Sequence, residues 1–124
     1  AETAALAARV GGELVEYGAS VEGRPLVAVR VPSASSDPPR ILCSANIHGV
    51  EFIAGRVALG LLAALADGDP RVVALTRRAE LWVAPSLNPD GYARTFAADG
   101  RGTVAHLRGN ARGVDLNRNF PRPG

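Results

Sequence analysis

The chain has 124 residues, the length of one domain or of part of a larger one. With 47% apolar residues it can pack a core and is too apolar for a disordered segment. The net charge is +2, and all 14 basic residues are arginines scattered along the chain, which excludes the clustered basic patch of a nucleic-acid binder.

No run is long and apolar enough for a transmembrane helix and no secretory signal opens the chain, so no membrane partner is expected and the compartment is unassigned. Methionine is absent, so a processed chain or an excised piece is expected. Residues 2–12, ETAALAARVGG, read as a short helix stopped by Gly11 and Gly12. ELVEYGAS and PLVAVRV read as two strands of a hairpin across the turn-rich VEGR, and PSASSDPP reads as a loop. RILCSANI, residues 40–47, is a continuous apolar run, the pattern of a strand buried on both faces, and its lone Cys43 reads as a small buried hydrophobe.

From Glu51 to Ala66 the apolar residues are nearly continuous and predict a well-buried helix ended by DGDP. Pro70 opens a second helix through about Ala79. ELWVAPSLN is the next strand, with Trp82 expected in the core. After Asn88 the Gly- and Arg-rich sequence predicts irregular structure to about Arg112, with Pro89-Asp90-Gly91 as a turn. Strands alternate with helices, so the class is α/β with a mixed sheet.

Chemistry is expected at one seam. His48 and Glu51 stand three residues apart where a strand gives way to a helix, with Gly49 between them. In open α/β sheets, ligands collect beyond the carboxyl ends of strands, and both His48 and the Asn88–Gly91 stretch lie there. Alone, an HxxE pair is more often a cap and a solvated carboxylate than two metal ligands. The later stretch LRGNARGVDLNRNFP, residues 107–121, gathers Arg108, Arg112 and Arg118 with Asn110, Asn117 and Asn119 around the small apolar run GVDL. Arg and Asn bind carboxylates and carbonyl oxygens with directed hydrogen bonds, although an Asn-rich turn with surface arginines has the same composition.

Together these pieces resemble the zinc carboxypeptidases of the M14 type: YGASVEGRPLVAVRV, ANIHGVEF, PSLNPDGY and RGNARGVDLNRNFP occur in that family's order from Tyr17 to Pro121. The resemblance implies a three-layer α/β/α sandwich with a mixed sheet, of which this chain is the amino-terminal part. It implies one zinc ion with His48 and Glu51 as its first two protein ligands. Arg108 would steady the oxyanion, and Asn117 and Arg118 would grip the terminal carboxylate of a peptide substrate. The family's second histidine ligand, its catalytic glutamate and its substrate-covering tyrosine lie beyond the NRNF segment, so this chain by itself is expected to be inactive. His106 matches no family ligand and is assigned to the surface, and Glu80 is no substitute for the absent base. Apolar surface left uncovered would favour self-association. Two other readings share these residues: a zinc deacylase of the succinylglutamate desuccinylase or aspartoacylase type, which has HxxE and DLNR elements, and a non-catalytic carboxylate-binding module. The complete PSLNPDGY and SVEGRPL favour the peptidase, or a relative that trims cell-wall peptides.

Overall fold

The computed structural model describes residues 1–97 and 99–121. A four-stranded mixed sheet carries β1 (Glu13–Ala19), β2 (Pro25–Val31), β3 (Arg40–Ser44) and β4 (Glu80–Ala84) in the order β1-β2-β4-β3. β1 and β2 form the expected antiparallel hairpin, with a bulge at Tyr17. β2 runs antiparallel to β4, and β3 runs parallel to it. Two helices, α1 (Glu2–Arg9) and α2 (Phe52–Ala66), cover one face of this sheet. The core lies between them: Leu6, Ala58 and Leu62 pack on Val29, Val31, Leu81 and Val83. The class is therefore α/β with a mixed sheet, as read from the sequence, and the described helices α1 and α2 form one of its helical layers. No described helix is long and apolar enough to cross a membrane.

Several boundaries and environments differ from expectation. α1 ends at Arg9, because Gly11 turns left-handed (φ 63°) and Gly12 must approach the Arg30 carbonyl too closely for a side chain. β3 ends at Ser44 and not at Ile47, since Asn46 is left-handed (φ 55°) and breaks the extended run. β3 is also not buried on both faces. Among the described residues it is an edge strand, paired on one side by β4, and Leu42 on the face away from α2 is 68% exposed. Cys43 is only half-buried against the core.

α2 is less buried than its composition suggests. Gly55, Ala58 and Leu62 face the sheet, whereas Ile53 and Val57, four apart on another side, are 68% and 66% exposed. α3 (Pro70–Thr76) stops short of Ala79, with Asp69 capping its start as Pro70 opens it. Trp82 is not in the core. It alternates with Leu81 and Val83, so it lies on the opposite face, half-buried, donating Nε1–H to Glu80 at 2.8 Å beneath the Arg30 guanidinium.

The stretch expected to be irregular, to about Arg112, contains two helices, α4 (Pro89–Ala97) and α5 (Val104–Arg108), and a 3₁₀ turn follows it at Leu116–Arg118. Pro89-Asp90-Gly91 is the first turn of α4 and not a free turn. Asn88 caps it, its Oδ1 accepting the Gly91 N–H at 2.9 Å, and proline is well suited to the first helical position. Thr103 caps α5 in the same way through His106 N–H.

Candidate metal and substrate site

Beyond the ends of β3 and β4 the two loops travel together. Ala45 N–H donates to the Ala84 carbonyl, Leu87 N–H to Ala45, and Asn88 N–H to Asn46. This brings the His48 loop against the start of α4. The contact is tight: a Cβ placed on Gly49 would lie 2.1 Å from the Gly91 carbonyl carbon. Only hydrogen fits at Gly49, because two backbones meet there. Asn88, 2% exposed, completes the junction: its Nδ2 donates to the carbonyls of Ile47 (3.2 Å) and Gly109 (3.1 Å). One amide thereby joins the segments that carry His48, α4 and Arg108.

His48 is buried, and both ring nitrogens are engaged. Nδ1 lies 2.8 Å from Glu51 Oε1 and Nε2 lies 3.1 Å from Asp115 Oδ1. The pair expected from the sequence thus shares one face, with Glu51 at the residue just before α2. Asp115 Oδ2 accepts from Arg108 Nε at 3.0 Å, and Arg108 Nη1 stands 4.0 Å from Glu51 Oε1. Arg108, chiefly by that hydrogen bond, lowers the Asp115 pKa against the opposing effect of burial, with help from His48 and the Asn117 N–H. Asp115 is therefore an ionised acceptor at neutral pH. Its Oδ1 also takes the Asn117 N–H at 3.0 Å, and its carbonyl takes the Arg118 N–H at 3.0 Å. Asn117 and Arg118 are thus held within one 3₁₀ turn of the carboxylate that touches His48 and Arg108. Both side chains are exposed.

The donor set fits a divalent cation such as zinc. A neutral imidazole has one N–H, yet His48 faces carboxylates on both sides. With Nε2–H donated to the ionised Asp115, the Nδ1 lone pair points toward a Glu51 oxygen, and two electron-rich atoms so placed attract a cation between them. A carboxylate on the far nitrogen of a ligating histidine is the usual outer support of such a site. Among the described residues no group of three or more His, Cys, Asp or Glu is arranged to hold a metal ion.

Asp115 went unassigned in the sequence, where it reads as part of the apolar run GVDL. Its signal was a carboxylate two residues before Asn117, the spacing that lets an aspartate cap a short turn. Asn110 spends its side chain on its own loop, accepting from Arg112 and Val114 N–H. His106 is exposed on α5. Glu80 lies at the other end of β4, its oxygens held by Arg30, Trp82 and Arg40.

Residues 6–123 match the family model for zinc carboxypeptidases. The chain belongs to the zinc carboxypeptidase family. Mouse carboxypeptidase D is 35% identical to it over 97% of this chain and 11% of that protein. A metallo-carboxypeptidase from Burkholderia cenocepacia superposes with a TM-score of 0.73 at 30% identity, covering 93% of this chain and 31% of that one. The carboxypeptidase A from Helicoverpa armigera does so with a TM-score of 0.76 at 27% identity, covering 94% and 31%. The chain therefore spans about a third or less of these zinc carboxypeptidase relatives.

Proposed function

We propose that this chain contributes the first two zinc ligands, the oxyanion arginine and the carboxylate grip of a carboxypeptidase that removes C-terminal residues from peptides. The observation that carries this reading is His48 fixed between Asp115 on Nε2 and Glu51 on Nδ1, with Arg108 bound to the same Asp115. His48 and Glu51 would hold the ion. Zinc, when bound, supplies polarisation of the scissile carbonyl and acidification of a water.

The other steps belong to side chains of this chain. Asp115 holds the Nε2 proton of His48 and so keeps Nδ1 turned toward Glu51. It also restrains Arg108 through Nε, and among the described residues neither Nη group donates a hydrogen bond. Those two N–H-bearing ends are where a carbonyl oxygen gaining charge would be met, a contribution on the order of 3 kcal/mol to the barrier. Asn117 and Arg118 would bind the terminal carboxylate, which restricts cleavage to the last peptide bond. Self-association is part of the same proposal, supported by the edge of β3 that is unpaired among the described residues and by the exposed Leu42, Ile53, Val57 and Phe120.

The test uses the complete protein that carries this chain and a pair of peptides differing only in a free or an amidated C-terminus. Arg118→Ala should weaken the free-acid peptide by roughly 2–5 kcal/mol of binding and leave the zinc content unchanged. Equal losses on both peptides contradict the carboxylate role.

A further inference from the structure

The turn between β1 and β2, residues 20–24, is remote in sequence from every residue proposed above, yet it is wrapped around a buried carboxylate of α4. Asp90 is 2% exposed. Its Oδ1 accepts from Ser20 Oγ and from Arg24 Nη1, both at 2.7 Å, and its Oδ2 accepts from Glu22 N–H at 3.2 Å. Ser20 Oγ in turn accepts the Arg24 N–H at 3.0 Å, and Arg24 also pairs with Glu22. Burial pushes the Asp90 pKa up, and the donors from Ser20, Arg24 and Glu22 together outweigh it, so the group is held ionised. A first-turn aspartate of a helix finds backbone N–H partners in its own helix with ease. Here all three acceptor contacts go to a turn 66 to 70 residues away.

What that turn grips is the segment on which His48 rests. Asn88 donates to the carbonyl of Ile47, and Gly91 abuts Gly49, so the residues on both sides of His48 are held by residues on both sides of Asp90. The Gly49–Gly91 contact leaves no slack, since a shift of Gly91 toward the loop moves Gly49 with it. We propose that the Ser20–Arg24 turn is a positioning device for the metal-binding pair: through Asp90 it fixes the Asn88–Gly91 segment, and through that segment the place of His48 opposite Glu51. Ser20, Arg24 and Asp90 are then positioning residues, none of which touches the ligands. The inference rests on His48 and Glu51 being zinc ligands.

The experiment measures zinc affinity of the chain by titration calorimetry, together with the amide resonances of His48 and Gly49, in Ser20→Ala, Arg24→Ala and Arg24→Lys. Arg9→Ala, which breaks a surface ion pair with Asp67, is the control. Direct supports of a ligating histidine change metal affinity roughly 10–100-fold, so a support one layer further out should change it about 3–10-fold. We expect Ser20→Ala and Arg24→Ala to lose zinc affinity by that factor and to shift both amides. Arg24→Lys should recover most of the loss, because the contact with Asp90 uses one nitrogen. Arg9→Ala should do neither, even where its melting temperature falls by as much. Wild-type affinity and unshifted amides in both alanine variants overturn the positioning role. If His48→Ala leaves zinc binding intact, the ligand assignment fails instead, and the turn is judged on the two amides alone. Shifts confined to Ser20→Ala and Arg24→Ala then support it, and their absence overturns it.

Discussion

Asn88 satisfies more of its surroundings than any one of the residues proposed to act on substrate. It accepts from one N–H and donates to the carbonyls of two other segments. Asn88→Asp keeps the acceptor and replaces the donors with a negative oxygen facing those carbonyls. Each unsatisfied buried group costs about 1–3 kcal/mol, so leaving the two carbonyls unpaired should lose roughly 2–6 kcal/mol of stability, read by urea unfolding. Gly49→Ala should cost about 1–3 kcal/mol by the same measurement, through overpacking against Gly91. A cost below half a kcal/mol would mean that the two loops part easily. His48, Glu51, Arg108, Asn117 and Arg118 were singled out in the sequence by the resemblance of their motifs, and the structure brings His48, Glu51 and Arg108 together around Asp115. Asp115, Asn88 and Asp90 were not singled out, because a residue that supports another is defined by a partner 40 to 70 positions away, which no local pattern reports.

The elements were legible where their period is local. The β1–β2 hairpin and the strand-to-helix switch at Glu51 came from alternation and composition alone. Burial was not, since an apolar run such as RILCSANI or the α2 sequence does not say how many neighbours the fold supplies. α4 was missed because Pro-Asp-Gly suits a turn and a helix start equally, and only the Asn88 cap decides between them. Capping also gives a pH test at α3. Asp69 accepts from the Arg71 side chain and backbone, and these bonds, the side-chain one foremost, lower its pKa from 3.8 to about 2. Its folded pKa lies below the unfolded value, so the stabilisation is complete above pH 3.8 and is lost as pH falls through about 2. A carboxyl-carbon NMR titration should place the Asp69 midpoint near 2, and Arg71→Ala should return it toward 3.8. An unchanged midpoint in Arg71→Ala would assign the shift to the backbone bonds alone.

At the scale of the molecule, the proposed site sits at the end of a sheet whose β3 edge is unpaired among the described residues and whose Leu42 is exposed. Sedimentation velocity should show association that rises with concentration, and Leu42→Arg with Ile53→Glu should reduce it; a monomer at all concentrations would show that these patches are tolerated. The central claim concerns the metal. Closed structural zinc sites bind with roughly 10–16 kcal/mol, so two ligands should supply about half, a dissociation constant of about 1 μM to 0.1 mM. Zinc titration calorimetry of the chain is the most direct measurement. We expect one ion bound in that range, abolished by His48→Ala and unaffected by His106→Ala. Nanomolar binding that depends on His106, or binding undiminished in His48→Ala, would contradict it.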